Sequence, residues 1–224
     1  MSSPVAENLS RVRERMAKAA SRAGRDAGEI RLCVVTKGRG LERVREAAAA
    51  GAKILGENRV QEAGPKIEAA RDLPAGISWH LIGHLQRNKA RRAVQLFDVI
   101  QSVDSSDLAR KLADLGTERG RAVDAFVEVR TTDEPTKTGM PLERAEEEIA
   151  GMRELPGLSV AGLMTMAPLT EDERRIRSSF AALRELRDRL GGSVRELSMG
   201  MSADFEIAVE EGATIVRVGS AIFE

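Results

Sequence analysis

The chain has no tyrosine, one cysteine, two histidines and no excess of either charge. Each shortage closes off a class of function. Thirty-five Lys and Arg balance thirty-five Asp and Glu, so the cationic surplus that displaces counterions from nucleic acid is missing. The same balance offers nothing to an anionic membrane surface. A lone Cys33 cannot form an internal disulfide, which suits a reducing cytoplasm. No apolar run approaches the roughly 20 residues that span a bilayer. Met1-Ser2-Ser3-Pro4 lacks the basic stretch and apolar stretch of a secretory signal, so the expected location is cytoplasmic. Aromatic residues make up only 3% of the chain.

What remains is enough for a packed, solvated fold. Hydrophobic residues are 42% and charged residues 31% of 224, which excludes a disordered chain. Apolar β-branched runs alternate with segments of helical period. A first helix begins at Ser3 and Pro4, with Val5, Leu9, Val12 and Met16 on one face and Gly24 as its stop. Strands are expected at 31–36, 52–55, 77–82, 98–103, 122–129, 158–164, 194–197 and 214–218. Helices fall between them. Asn58 to Gln61 and Thr170 to Glu173 have the form of capping boxes, Pro141 opens another helix, and Ser202 to Glu211 reads as a short one.

Eight strands separated by helices imply a parallel sheet, and eight is the number that closes as a (β/α)8 barrel. An open doubly wound sheet is the alternative. No linker or repeat divides the chain, so residues 1–224 read as one domain.

In such a barrel the C-terminal strand ends converge on one mouth. The first strand delivers Lys37 there. It is either a solvated lysine opening a loop or, in a dry mouth, an amine poised for a Schiff base. The second delivers Asn58, for which a helix N-cap is a sufficient role. The third delivers His80 and His84. Their four-residue spacing would suit zinc on a helix, but Gly83 and the strand pattern argue against one, so His80 reads as a hydrogen-bonded wall residue. The sixth and seventh strands deliver Met164, Met166, Met199 and Met201, either as packing or as a thioether wall for a flat ligand. The last two end in Ser198-Met199-Gly200-Met201-Ser202 and Arg217-Val218-Gly219-Ser220. These are ordinary glycine turns or a phosphate site, since barrels of this kind often hold phosphate after strands seven and eight.

Several stretches resemble one family. They are Val34-Val35-Thr36-Lys37, Gly56-Glu57-Asn58-Arg59-Val60-Gln61-Glu62, the run from Trp79 through Gly83-His84-Leu85-Gln86 to Lys89, Gly162-Leu163-Met164-Thr165-Met166, the run from Leu197 to Asp204, and the run from Val216 to Phe223. Six blocks in order make the chain similar to the pyridoxal phosphate homeostasis proteins, or proline synthetase co-transcribed homologues. The resemblance implies an alanine-racemase-like barrel without the second β-domain of the racemases, and a protein that binds pyridoxal 5′-phosphate without an established reaction. It implies that Lys37 forms the internal aldimine, that Arg217 faces the pyridine nitrogen, and that Asn58 lies near the ring hydroxyl. Ser202 would bind the phosphate by its hydroxyl, Gly219 and Ser220 by their amides. By their strand positions, His80 and Met164 are expected to join these cofactor-binding residues as walls. Two departures stand out: Thr36 and Gly38 flank Lys37 where the family usually has Ser and Thr, and Arg59 follows Asn58 where it has an aromatic.

A permanently charged arginine at the ring nitrogen cannot give it a proton, so the electron sink stays weak. Racemases of this fold compensate with a tyrosine as second acid/base, and this chain has none. Cys33 lies mid-strand with nothing near it in sequence to activate it. The expectation is therefore a non-enzymatic, monomeric carrier of vitamin B6 cofactor, with apo pyridoxal phosphate enzymes as candidate recipients. A weak racemase or transaminase is the alternative, and a barrel enzyme acting on a phosphorylated metabolite is a third reading.

Overall fold

A computed structural model describes residues 3–132, 134 and 138–224. The strands are β1 (Arg31–Val35), β2 (Ile54–Glu57), β3 (Ser78–Leu81), β4 (Val99–Val103), β5 (Val123–Arg130), the two-residue β6 (Met140–Pro141), β7 (Leu158–Met164), β8 (Glu196–Ser198) and β9 (Ile215–Val218). The helices are α1 (Pro4–Arg22), α2 (Leu41–Ala49), α3 (Val60–Ala69), α4 (Ala90–Leu96), α5 (Ser106–Glu118), α6 (Leu142–Arg153), α7 (Glu173–Leu190), α8 (Phe205–Glu210) and α9 (Ser220–Phe223). Every described strand pairing is parallel. The order β1-β2-β3-β4-β5-β7-β8-β9 returns to β1 through the β9–β1 pairing, and β4–β5 completes the ring. The sheet is thus closed, which decides for the barrel over the open doubly wound sheet.

Alternation along each strand separates two cores. Residues such as Val34, Leu55, Leu81, Ile100 and Ala125 join the layer beneath the helices. Cys33, Ile54, Phe126, Met164 and Ile215 form a smaller apolar cluster inside the barrel. That interior is crowded. A Cβ on Gly56 would sit 2.8 Å from Cys33 Sγ, so β2 tolerates only glycine at this inward position.

The extra N-terminal helix braces the mouth. Ser3 Oγ accepts from the Ala6 amide at 3.3 Å and caps α1. Val5, Leu9, Val12 and Met16 are buried along one face, and α1 packs on α8 and α9. Asn8 Nδ2 also donates to Ile222 O at 3.0 Å. The two short helices that follow the last glycine turns are therefore held from behind. No helix among the described residues is long and apolar enough to cross a membrane.

Local differences from the sequence reading have local causes. β2 runs from Ile54 to Glu57 rather than over 52–55, because Gly56 fits inside and the Glu57 carboxylate is paired outside. α7 is capped by Asp172, whose Oδ1 accepts from the Arg174 amide at 3.0 Å, and not by Thr170. α8 begins at Phe205, so Ser202 lies in the turn before it. β6 is too short to leave a periodic trace.

Helix α5 carries one backbone constraint that a substitution can expose. A Cβ at Gly116 would lie 1.9 Å from Gly157 O. Alanine is intrinsically the better helix former by about 1 kcal/mol, but overpacking of this kind costs roughly 1–3 kcal/mol or more. Gly116→Ala should therefore lower the urea midpoint at unchanged m-value. A raised midpoint would show that propensity outweighs the clash.

Candidate functional site

A cavity of about 550 Å³ opens at the C-terminal end of the barrel. Lys37, Asn58, Ser202, Arg217, Gly219 and Ser220 all lie in its wall. His80 and Met164, expected with them, do not. Both are buried, 3% and 1% exposed, Met164 in the apolar interior cluster and His80 in a polar chain below the cavity. Side chains on one face of a strand recur every second residue, and it is Met166 that reaches the cavity two residues after Met164. Met201 also lines it, while Met199 is buried.

Lys37 extends from the end of β1, followed by Gly38 at φ +67°. Its side chain is exposed at the mouth, which corrects the dry environment considered for it. The strand ends bearing Lys37 and Asn58 are clamped from outside the barrel. Glu57 is fully buried, and its Oε1 accepts from Thr36 Oγ1 at 2.7 Å and Lys66 Nζ at 2.5 Å. Lys66 also donates to Thr36 O at 2.8 Å. A buried carboxylate left without its cation costs about 3–5 kcal/mol, so this pair resists rearrangement just behind the two residues.

Asn58 does not cap a helix. α3 takes Arg59 as its N-cap, with no side-chain cap hydrogen bond. The amide of Asn58 is thereby left to the cavity. The loops after β2 and β3 approach so closely that a Cβ on Gly83 would lie 2.4 Å from Asn58 O. Glycine is the residue that this contact admits.

On the opposite side, Ser202 and the Gly219-Ser220 turn come together. Ser202 Oγ accepts from the Ala221 amide at 3.4 Å. Among the described residues no protein acceptor takes the backbone N–H of Ser202, Ala203, Gly219 or Ser220. Four N–H donors at the edge of one cavity form a recess suited to a multiply charged anion. A Cβ at Gly219 would come within 3.1 Å of Val35 O and Cβ, so this turn too is packed to glycine dimensions.

Arg217, 4% exposed, forms part of the cavity floor. Its Nη1 donates to Ser198 O at 2.7 Å and Ser198 Oγ at 2.8 Å, and its Nη2 to Thr165 O at 2.9 Å. Burial pulls its pKa down from the ordinary value, and attraction to Cys33, Glu128 and Asp204 opposes this. A guanidinium nevertheless stays charged at neutral pH. Burial pushes the Cys33 thiol up to about 12, so it is neutral and unreactive.

Glu128, at the end of β5, is a cavity residue that the sequence reading did not single out. Its Oε1 accepts from Thr138 Oγ1 at 2.6 Å. Burial raises its pKa, with the Thr138 hydrogen bond opposing and Asp104 adding to the rise. The signal was a carboxylate in the otherwise apolar run from Ala125 to Val129. Gln101, a polar residue within β4, left a similar signal.

Comparison with known proteins agrees with this geometry. The family described as alanine racemase, N-terminal domain, matches residues 8–224. A pyridoxal phosphate homeostasis protein of Aquifex aeolicus is 42% identical over 221 residues, covering 97% of this chain and 96% of the relative. The chain belongs to the pyridoxal phosphate homeostasis protein family. Among solved structures of similar fold, a protein of Bifidobacterium adolescentis gives a TM-score of 0.92 at 38% identity, covering 98% of this chain and 94% of that one. PipY of Synechococcus elongatus, solved with pyridoxal phosphate bound, gives 0.83 at 37% identity, covering 98% of this chain and all of PipY. The homeostasis-protein relatives thus match the chain across its whole barrel.

His80 sets a pH dependence for stability. Burial is the main cause that lowers it to about 3 from 6.5, with repulsion from Arg31 adding. The folded chain keeps the ring neutral while the unfolded chain protonates it. This contribution is therefore complete above pH 6.5 and is lost as pH falls toward 3. Between pH 7 and pH 5 it amounts to about 2 kcal/mol. Glu128, with its raised pKa, acts in the opposite sense on acidification. Comparing wild type with His80→Asn, which keeps an acceptor near the Nδ1 position, isolates the histidine. Urea titrations should show a shallower loss of stability in the variant over this range. Parallel pH profiles would mean that His80 is protonated in the folded protein.

Proposed function

We propose that the chain holds pyridoxal 5′-phosphate at the barrel mouth and serves its intracellular homeostasis as a carrier. One observation carries the reading: a lysine, a buried arginine and four backbone N–H groups without protein acceptors face a single cavity of about 550 Å³. The group fits these residues in number and chemistry. Lys37 is the amine that holds the aldehyde as a Schiff base, Arg217 faces the ring nitrogen, and Asn58 faces the ring hydroxyl. Ser202, Gly219 and Ser220 take the phosphate. The homeostasis name of the relatives and the bound cofactor of PipY support the same assignment. His80 and Met164 support the site from below without reaching its cavity.

Bound pyridoxal phosphate supplies an electron-accepting ring and an aldehyde that condenses with amines. The chain does little to exploit the first property. Arg217 cannot give the ring nitrogen a proton, there is no tyrosine, and Cys33 is neutral. His80 is neutral and engaged below the cavity. Binding and release therefore account for the site better than racemisation or transamination. The exposed Lys37 suits release to apo pyridoxal phosphate enzymes in the cytoplasm, with the chain acting as a monomer.

The phosphate recess supplies a test. A hydrogen bond to a charged group is worth roughly 1.5–3 kcal/mol, or about ten- to a hundredfold in affinity. Ser202→Ala should lose this much for pyridoxal phosphate and change little for unphosphorylated pyridoxal, measured by equilibrium titration. Equal losses for both ligands would place the phosphate elsewhere. Failure of wild type to bind the phosphorylated form would remove the reading altogether.

A further inference from the structure

The barrel interior contains a polar chain that the binding residues alone do not explain. Ser198 Oγ, which accepts from Arg217, donates to Gln101 Oε1 at 2.5 Å. Gln101 Nε2 is 2.6 Å from His80 Nδ1, and His80 Nε2 is 3.1 Å from Ser78 Oγ. The links run from β9 through β8 and β4 to β3, beneath the cavity. Gln101 and Ser198 are wholly buried.

The direction of the chain is fixed at one end. Arg217 can only donate, so Ser198 must turn its own proton toward Gln101. The carbonyl side of the Gln101 amide then faces Ser198, and its NH₂ faces His80. His80 Nδ1 must accept, which leaves the proton on Nε2. Every member gives its proton away from Arg217, and none can draw one from the guanidinium.

Stability alone does not call for such a chain. A buried polar network, even fully satisfied, is often no more stable than apolar residues of the same volume. What it does supply is orientation. Three of the five N–H donors of Arg217 are fixed on Ser198 and Thr165, so the plane of the guanidinium is set. Among the described residues no protein acceptor takes its Nε–H.

We propose that Gln101 and Ser198 are positioning residues that aim the free edge of Arg217 at the ring nitrogen of the cofactor and so set recognition of that nitrogen. This rests on the reading of the cavity as a pyridoxal phosphate site. The two residues act through Arg217 and touch no ligand themselves.

The test compares pyridoxal phosphate with 1-deazapyridoxal phosphate, in which a ring C–H replaces the nitrogen. Wild type should prefer the former by about tenfold or more, the value of one charge-assisted hydrogen bond. Gln101→Met and Ser198→Ala should each reduce this preference to less than about threefold, while affinity for the deaza analogue changes little. Ser198→Thr, which keeps the hydroxyl, should keep the preference. Equal weakening of both ligands, or an unchanged preference in both variants, would overturn the positioning role. Wild type that binds neither ligand would instead remove the cofactor reading on which it rests.

Discussion

A guanidinium inside a protein is costly unless most of its N–H groups meet acceptors, because an unpaired buried donor costs its full desolvation. Arg217 imposes this demand at the floor of the barrel mouth, and neighbouring strands are arranged to meet it. β8 supplies Ser198, the segment after β7 supplies Thr165 O, and β4 supplies the Gln101 that orients Ser198. Barrel closure makes this possible. With the barrel strands parallel, the C-terminal ends open on one side, and residues far apart in sequence become neighbours across the interior.

Under the proposed reading, the same arrangement suits the site to holding a cofactor rather than to reacting with it. Catalysis needs groups whose protonation can change near neutral pH. The cysteine is held neutral by burial and the central histidine is held neutral by burial and by its place in the hydrogen-bond chain. Arginine cannot change its charge at all. Glu128 is the buried titratable carboxyl that remains in the cavity wall, and its hydrogen bond goes to Thr138. By contrast, binding needs fixed donors, and these are abundant: the glycine turns at 200 and 219 are packed to backbone dimensions, and α1 holds the helices behind them.

Much of this was legible in the sequence. The eight barrel strands could be placed because apolar β-branched runs such as 31–35 and 158–163 are interrupted regularly by helical faces. Lys37, Asn58 and the glycine turns at 200 and 219 could be placed at the cavity because they directly follow such runs, and Arg217 because it lies one residue before the end of its strand; strand ends in a parallel barrel share one mouth. His80 and Met164 lie below the cavity rather than in its wall for a physical reason. A strand end is known only to within a residue or two, and one step of two residues moves a side chain from the cavity wall into the interior below. Gln101 and Ser198 escaped because a polar residue in a buried strand has meaning only through partners on other strands. The Glu57–Lys66 clamp escaped because it joins a strand to the helix after it, and local spacing does not announce a buried pair.

The most direct measurement of the central claim is chemical. The chain loaded with pyridoxal phosphate is treated with borohydride, digested, and mapped by mass. The account predicts a stable pyridoxyl group on the peptide containing Lys37, and loss of that label in Lys37→Ala. A label on Lys53, Lys66 or Lys89 with Lys37 unmodified would contradict it, because those lysines do not line the mouth from which Arg217 and the glycine turns at 200 and 219 are reached.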